Sequence, residues 1–175
     1  EYAKRGIKFM LNTKVVSLDG STGENGETQV RVNYENAEGT GFSVAEKLLM
    51  SVGRHPVTKG FGLENLNPEK TERGNIRVDG QMRTSVPGVY ACGDLTGFSL
   101  LAHTAVREAE VAVHAVLGKK DCMSYRAIPG VVYTNPEIAG VGDTEEALQK
   151  KGIPYRTVKL PMAYSGRFVA ENEGV

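Results

Sequence analysis

The chain has 175 residues, of which 40% are hydrophobic and 24% are charged, and its 21 basic side chains balance 21 acidic ones. This neutral balance argues against nucleic acid as the main partner, because phosphate binding requires a clustered excess of Lys and Arg. No apolar run is long enough to span a bilayer, so no membrane contact is expected, and two cysteines do not make a disulfide framework. These features predict a protein of a reducing compartment, which we take to be the cytoplasm.

Both ends of the chain carry the patterns of interrupted elements. Residues 1–5 predict a short charged helical turn that stops at Gly6, which is typical of a helix finishing rather than of a domain starting. At the other end, AENEGV (170–175) combines a turn signal with one apolar residue, as if a strand were about to begin. The sequence therefore predicts a segment of a longer protein.

Three strands joined by polar turns are predicted in the first third of the chain. The first strand is interrupted at Asn12 and resumes, the second alternates polar and apolar residues, and the third ends in the apolar run LLMSV (48–52). Consecutive strands joined by short turns form a β-meander. The strands are predicted at 7–18, 28–35 and 42–53, and the turns at 20–27 and 36–41.

The middle of the chain begins with a predicted loop. Residues 53–75 are rich in Gly, Pro and Asn and predict at most one helical turn. The following stretch, IRVDGQMRTSVPGVYACGD (76–94), predicts two short strands with turns at Asp79-Gly80 and Pro87-Gly88.

From Leu101 the apolar pattern takes the period of a helix, and Gly118 is its natural C-terminal cap. The small residues of this helix allow it to pack closely on a sheet. The apolar residues at spacings of three and four are Ala102, Ala105, Val106, Ala109, Val113 and Val116.

The last third of the chain predicts further strands and a helix. VVYT (131–134) indicates a strand, and PYRTVKLPM (154–162) indicates another. Between them, DTEEALQKKG (143–152) predicts a helix with Asp143 or Thr144 as its N-cap, acids in the first turn and lysines in the last. Strands followed by helices indicate a mixed α/β chain.

The motif that carries chemistry is Gly93-Asp94, between a predicted strand and the long helix. A ligand binds beyond the carboxyl end of a strand in this layout, and Gly93 lets it approach the backbone. Asp94 can accept hydrogen bonds from the hydroxyls of a sugar or sugar alcohol. The N-terminus of the following helix suits an electron-rich ring or an anion. On this motif alone, the simpler interpretation that Asp94 caps a turn is favoured over a ligand site.

Four longer stretches resemble one family. TSVPGVYACGD (84–94) resembles the second flavin-binding signature of the two-dinucleotide-binding-domain flavoproteins, the pyridine nucleotide-disulfide oxidoreductase family. SVGRHP (51–56) is similar to that family's Gly-Arg-x-Pro hinge between the NAD and flavin domains. LLAHTA (100–105) and the stretch 131–155 resemble its dihydrolipoamide dehydrogenase branch in particular.

The resemblance implies a fold class and a domain division. The chain would be an α/β (mixed α+β) fragment of such a flavoprotein, with a β-meander, a central FAD-contacting part and the start of an α+β dimerisation domain. Residues 1–52 would be the end of the NAD-binding domain, 53–120 the central domain, and 121–175 the first part of the dimerisation domain.

The resemblance also assigns cofactor contacts. Asp94 would hold the ribityl chain of FAD, and the residues at the start of the helix would lie beside the flavin ring. The expected FAD residues are Gly93, Asp94, Leu100, Leu101, Ala102 and His103, and the expected NAD residues are Gly53 and Val15.

By the same resemblance, the longer protein would be a homodimeric enzyme. It would oxidise dihydrolipoyl groups on lipoyl-bearing subunits of 2-oxoacid dehydrogenase or glycine cleavage complexes, through a redox disulfide and FAD to NAD. The segment alone would be inactive, since it lacks the redox cysteines and the catalytic base. The alternatives are another flavin disulfide reductase, of the glutathione or mercuric reductase type, or a non-catalytic assembly module.

Cysteine and histidine add no further site. The family's redox pair lies near its N-terminal flavin motif, so we expect Cys92 to be an ordinary buried small residue and Cys122 to be exposed. The family's catalytic His belongs to its far C-terminal end, so neither His103 nor His114 is expected to act as that base. With three His in all and no supporting spacing, no metal site is predicted.

Overall fold

The computed structural model describes residues 1–23 and 26–171, with the side chain of Ser21 left out. The chain divides into two compact units, one made of Glu1–Arg77 with Leu95–Gly97 and the other of Val78–Asp94 with the chain from Phe98 onwards. Short 3-10 turns lie at Ala3–Arg5, Leu63–Asn65, Gly93–Leu95 and Met162–Tyr164. The strands and α-helices are β1 (Lys14–Thr22), β2 (Thr28–Asn36), β3 (Gly39–Ala45), α1 (Ala102–Val116), β4 (Gly130–Val132), β5 (Ile138–Gly140), α2 (Glu145–Lys150) and α3 (Gly166–Glu171).

The predicted β-meander is confirmed in the first unit. The order is β1-β2-β3 with both pairs antiparallel, and β1 carries a register irregularity between Val15 and Ser17. The turn from β2 to β3 needs two residues only, because Gly39 adopts a φ of +124° and the Glu38 N–H donates to Asn36 Oδ1 at 2.9 Å. The turn predicted at 20–27 begins later than expected, because β1 runs to Thr22 and pairs with β2, and residues 24–25 lie outside the described residues.

The two apolar ends of the predicted strands are not strands. Residues 7–13 precede β1 without joining it, and residues 48–52 follow β3 in irregular backbone, with Leu49 88% and Val52 86% exposed. A strand forms only where its backbone groups pair with a neighbour. Among the described residues, no strand pairs with either run, so the two apolar runs do not become part of a sheet.

Helix α1 is confirmed, and so is its C-terminal cap. Gly118 takes a φ of +70°, its N–H donates to Ala115 O at 3.1 Å, and the Lys119 N–H donates to His114 O at 2.8 Å. These two bonds are the pair that defines a Schellman motif. At the other end of the chain, the predicted stop of the first helical turn at Gly6, with a φ of +86°, is also confirmed.

The buried face of α1 differs from the line of apolar residues in its sequence. Val106, Val113 and Val116 are each more than half exposed. The helix has apolar residues on two sides, and counting their spacing does not decide between the sides. The buried residues of α1 are Thr104, Glu108, Val111, Ala112 and Ala115.

Helix α1 packs on irregular chain rather than on a sheet. A small core joins Met82 to Val111 and Ala112, with Val78, Tyr90 and Met123 half-buried around it. The strands expected over 76–94 appear only as isolated bridges, one of them pairing Arg83 with Tyr90. Both predicted turns are present, with Met82 N–H bonded to Asp79 O and Val89 N–H bonded to Val86 O.

The C-terminal part of the second unit is a short hairpin followed by helices. Strands β4 and β5 pair antiparallel, and Thr144 caps α2 by accepting the Ala147 N–H at 3.2 Å, which selects Thr144 over Asp143. The strand expected at 154–162 does not form. Helix α3 ends at Glu171, and the strand expected to begin near the end of the chain lies largely outside the described residues. Over the described parts of the chain, no helix is both long and apolar enough to cross a membrane.

Candidate functional site

The Gly93-Asp94 pair lies in a 3-10 turn rather than at the end of a strand. Gly93 is buried with a φ of +74°, and a Cβ built on it would come within 3.3 Å of the Ala105 Cβ on helix α1. This conformation and this contact both favour glycine. Asp94 follows directly and is an exposed residue.

The N-terminus of α1 belongs to the same unit as Asp94. Leu101 is its N-cap, with extended backbone and no side-chain cap hydrogen bond. The Leu101 carbonyl accepts the N–H groups of both Thr104 and Ala105 at 3.1 Å. The amides of the first turn, at Ala102 and His103, therefore precede the helical hydrogen-bond ladder, at the positive end of the helix dipole.

Two of the expected flavin neighbours present apolar surface at this helix start. Leu100 is 51% exposed, and Leu101 is exposed as well. The His103 ring is engaged by the protein, because its Nε2 lies 2.9 Å from Pro129 O and must donate to that carbonyl. The Nε2 atom of His103 is thus bonded to the protein, while its backbone lies at the helix start.

Sequence reasoning missed a buried acid beside this turn. Glu108 is 0% exposed; its Oε2 accepts the Gly93 N–H at 2.5 Å and its Oε1 accepts the Tyr125 O–H at 2.7 Å. Burial, followed by the hydrogen bond to Glu108, raises the pKa of Tyr125. The sequence did contain an indication of this burial. Glu108 is three residues from Ala105 and three from Val111, so it lies on the same face of the helix as these small and apolar side chains.

Cys92 is exposed, which corrects the expectation that it is buried. The irregular backbone of this stretch, where a strand was expected, leaves the side chain at the surface of its unit. Partial burial, followed by the nearby charge of Glu108, raises the pKa of the Cys92 thiol, so the reactive thiolate is disfavoured. Cys122 is exposed, as expected.

His114 has the structural role that its place on the helix predicts. Its Nδ1 and the Arg107 guanidinium each lie 2.7 Å from a different oxygen of Asp121. The Arg107 bond, then the His114 bond, lowers the pKa of Asp121 to about 2. The three side chains join helix α1 to the loop that follows it.

The expected NAD residues lie in the first unit. Val15 is in strand β1 and is 57% exposed, and Gly53 is in irregular backbone with a φ of +110°. Across the described ranges, no group of three or more His, Cys, Asp or Glu is arranged to hold a metal ion. The roles of these residues toward NAD, and of residues 93–103 toward FAD, remain predictions.

Comparison with known families accounts for most of the chain. Residues 1–109 match the sequence model described as pyridine nucleotide-disulphide oxidoreductase, and residues 128–174 match the dimerisation domain of the same group. The chain belongs to the pyridine nucleotide-disulphide oxidoreductase family. The expected family and the mixed α/β fold class are therefore confirmed.

Members of this family among curated proteins include dihydrolipoyl (dihydrolipoamide) dehydrogenases. Mitochondrial dihydrolipoyl dehydrogenase 1 of Arabidopsis thaliana is 42% identical over 166 residues, and the human mitochondrial enzyme is 39% identical over 166 residues. Each alignment covers 94% of this chain and 32% of the relative. The chain thus spans about a third of the length of the curated relatives it matches.

Solved structures of the family resemble the fold. LpdA from Mycobacterium tuberculosis superposes with a TM-score of 0.81 at 28% identity, covering 97% of this chain and 36% of LpdA. The HOCl-induced flavoprotein disulfide reductase RclA from Escherichia coli superposes with a TM-score of 0.74 at 28% identity, covering 97% of this chain and 38% of RclA.

Proposed function

We propose that this chain works as part of a longer dihydrolipoamide dehydrogenase. The observation that carries the proposal is its 42% identity to a dihydrolipoyl dehydrogenase across 94% of its residues. The longer enzyme oxidises dihydrolipoyl groups of 2-oxoacid dehydrogenase or glycine cleavage complexes and passes the electrons to NAD⁺.

The residues around Asp94 fit FAD. An exposed carboxylate accepts hydrogen bonds from the hydroxyls of the ribityl chain, and the start of α1 offers apolar side chains and first-turn amides to a ring that becomes negatively charged. A bound flavin supplies the two-electron transfer between a dithiol and a nicotinamide. Gly93, Asp94 and the Leu100–His103 segment would hold that cofactor, and the first-turn amides of α1 would stabilise negative charge on it.

The remaining assignments follow the same family. Gly53 and Val15 contact NAD, residues 1–52 end the NAD domain, 53–120 form the central domain, and 121–175 begin the dimerisation domain. A homodimer is supported by the match of residues 128–174 to a dimerisation domain. The partners are lipoyl-bearing subunits, and the site of action is cytoplasmic. The chain by itself is inactive, because the redox cysteine pair and the catalytic base belong to other parts of the enzyme.

A second candidate is a sister flavin disulfide reductase with another substrate. The structural similarity to RclA, with a TM-score of 0.74, supports this second candidate, because RclA is described as a flavoprotein disulfide reductase. It predicts the same flavin site and a different electron donor or acceptor.

The test uses the protein expressed from the complete open reading frame that contains this chain. We expect a flavin absorption spectrum and reduction of NAD⁺ with dihydrolipoamide as electron donor. Reduction of glutathione disulfide by NADPH is the matched comparison. A flavin spectrum without dihydrolipoamide turnover would move the function to a sister reductase, and absence of flavin would refute the cofactor assignment itself.

A further inference from the structure

Glu108 is the one fully buried acid in the described part of the chain, and its carboxylate has donors on both oxygens. The Gly93 N–H reaches Oε2 at 2.5 Å and the Tyr125 O–H reaches Oε1 at 2.7 Å. Both oxygens of this carboxyl group therefore act as hydrogen-bond acceptors. Burying a carboxyl group is costly unless hydrogen bonds compensate it, so an acid at this position calls for a specific role.

The same carboxylate holds the chain on both sides of Asp94. Gly93 precedes Asp94 directly, so the bond to its N–H anchors the turn at one end. Tyr125, held by the other oxygen, stacks on Phe98 with ring centroids 4.8 Å apart and planes at 26°. The segment that carries Asp94 is therefore anchored before and after this residue by groups that converge on Glu108.

The anchored segment leads straight into helix α1. Ser99 Oγ lies 2.9 Å from Thr104 Oγ1 in the first turn of the helix, and Glu108 lies one turn further along. Small side chains permit the arrangement, because the backbone of Gly93 packs against the Cβ of Ala105. Glu108 is itself buried and accepts hydrogen bonds from protein groups. It therefore does not contact a ligand directly and affects ligand binding only by positioning the turn.

We propose that Glu108 is a positioning residue of the flavin site, which fixes Gly93 on helix α1 so that the carboxylate of the adjacent Asp94 meets the ribityl hydroxyls. This inference rests on the proposed function. In this inference Glu108 sets the position of Asp94. The contribution of Glu108 to FAD affinity should therefore depend on the presence of Asp94.

The test is a double-mutant cycle on FAD affinity, measured by titrating FAD into flavin-free protein from the complete open reading frame. Glu108→Met removes both acceptors at similar volume and leaves the Gly93 N–H without its acceptor. We expect the FAD dissociation constant to rise about tenfold when Asp94 is present. In an Asp94→Asn background the same change should raise it less than about twofold, because the carboxylate being positioned is gone.

Two further variants sharpen the cycle. Glu108→Gln keeps one acceptor for the Gly93 N–H and should restore part of the affinity lost in Glu108→Met. Glu110→Met is the matched control on the same helix, since Glu110 is exposed and pairs with Arg107 at the surface, and it should change the affinity less than about twofold.

The outcomes separate the two claims. An equal loss of affinity from Glu108→Met in both backgrounds would show a role in the fold alone and overturn the inference, while leaving the flavin site intact. If Asp94→Asn itself leaves FAD binding unchanged, the proposed flavin site fails and the inference falls with it. Should Glu108→Met not fold, Tyr125→Phe decides by the same cycle, with an expected rise of about threefold that depends on Asp94.

Discussion

At the scale of single residues, two acids near the Gly93–Leu95 turn differ in their surroundings: Asp94 in the turn and Glu108 on helix α1. Asp94 is an exposed residue of the Gly93–Leu95 turn, whereas Glu108 on helix α1 is buried and accepts bonds from Gly93 and Tyr125. The turn thus carries an exposed acid suited to a ligand, and helix α1 carries a buried acid that bonds to the protein.

Replacing Asp94 with Ala should weaken FAD binding by about ten- to a hundredfold, because hydrogen bonds to a charged group contribute about 1.5–3 kcal/mol. The measurement is the flavin content and FAD affinity of the purified full-length variant. Asp143→Ala is the control, since Asp143 is an exposed acid paired with Lys151 at 2.7 Å. Full flavin content in Asp94→Ala would contradict the assignment.

Asp121 makes stability depend on pH in a defined direction. Its pKa of about 2 in the fold, set first by Arg107 and then by His114, is below the value of about 3.9 in an unfolded chain. The folded state therefore favours the ionised form. Its contribution to stability is complete above about pH 4 and is lost as the pH falls toward about 2.

Asp121→Asn should accordingly lower the melting temperature most near pH 6 and progressively less between about pH 4 and pH 2. The measurement compares melting of the variant and the parent protein across this range. Asp143→Asn removes an exposed pair and should have little effect at any of these pH values. A penalty that grows toward acid would refute the assigned sign.

At the scale of elements, local chemistry explains where the helices stop and start. Helix α1 ends at a Schellman motif on Gly118, and α2 begins at Thr144, whose side chain accepts the Ala147 N–H. Each of these bonds joins residues at most five apart in sequence. Such bonds form in any surroundings that permit a helix, so they follow from the sequence directly.

Gly118→Ala should destabilise the last turn of α1 by about 1 kcal/mol, because Ala disfavours the φ of +70° that the cap requires. Amide hydrogen exchange of the residues around Ala115 reports this directly. Gly166→Ala is a control of opposite expected sign, since Gly166 begins α3 with no positive φ and open space around its Cβ position. Unchanged protection at the end of α1 would contradict the capping role.

At the scale of the whole molecule, many large apolar side chains of the described chain are exposed, and few are buried. The buried apolar residues in the described chain are few, namely Ile76, Met82, Val111, Ala112 and Ala115. Much of the remaining apolar surface therefore requires a covering.

Expressed by itself, the chain should self-associate, bind a hydrophobic dye and melt without a sharp transition. The exposed runs around Leu49 and Val52 are the surfaces we expect to associate. Light scattering after size-exclusion chromatography, together with dye fluorescence, measures this, and the protein from the complete open reading frame is the control. A monodisperse monomer that melts cooperatively would refute the prediction.

The sequence by itself determined the order of the β-meander, helix α1 with its C-terminal cap, the presence of helix α2, the tight turns and the family. Each of these depends on neighbours in sequence or on motifs read in order. The tertiary structure decided the rest. Which side of α1 is buried depends on what packs against it, and Glu108 acquires its role from partners 15 and 17 residues away. The apolar runs at 7–13 and 48–52 likewise stay irregular, because a strand exists only where another strand accepts its hydrogen bonds.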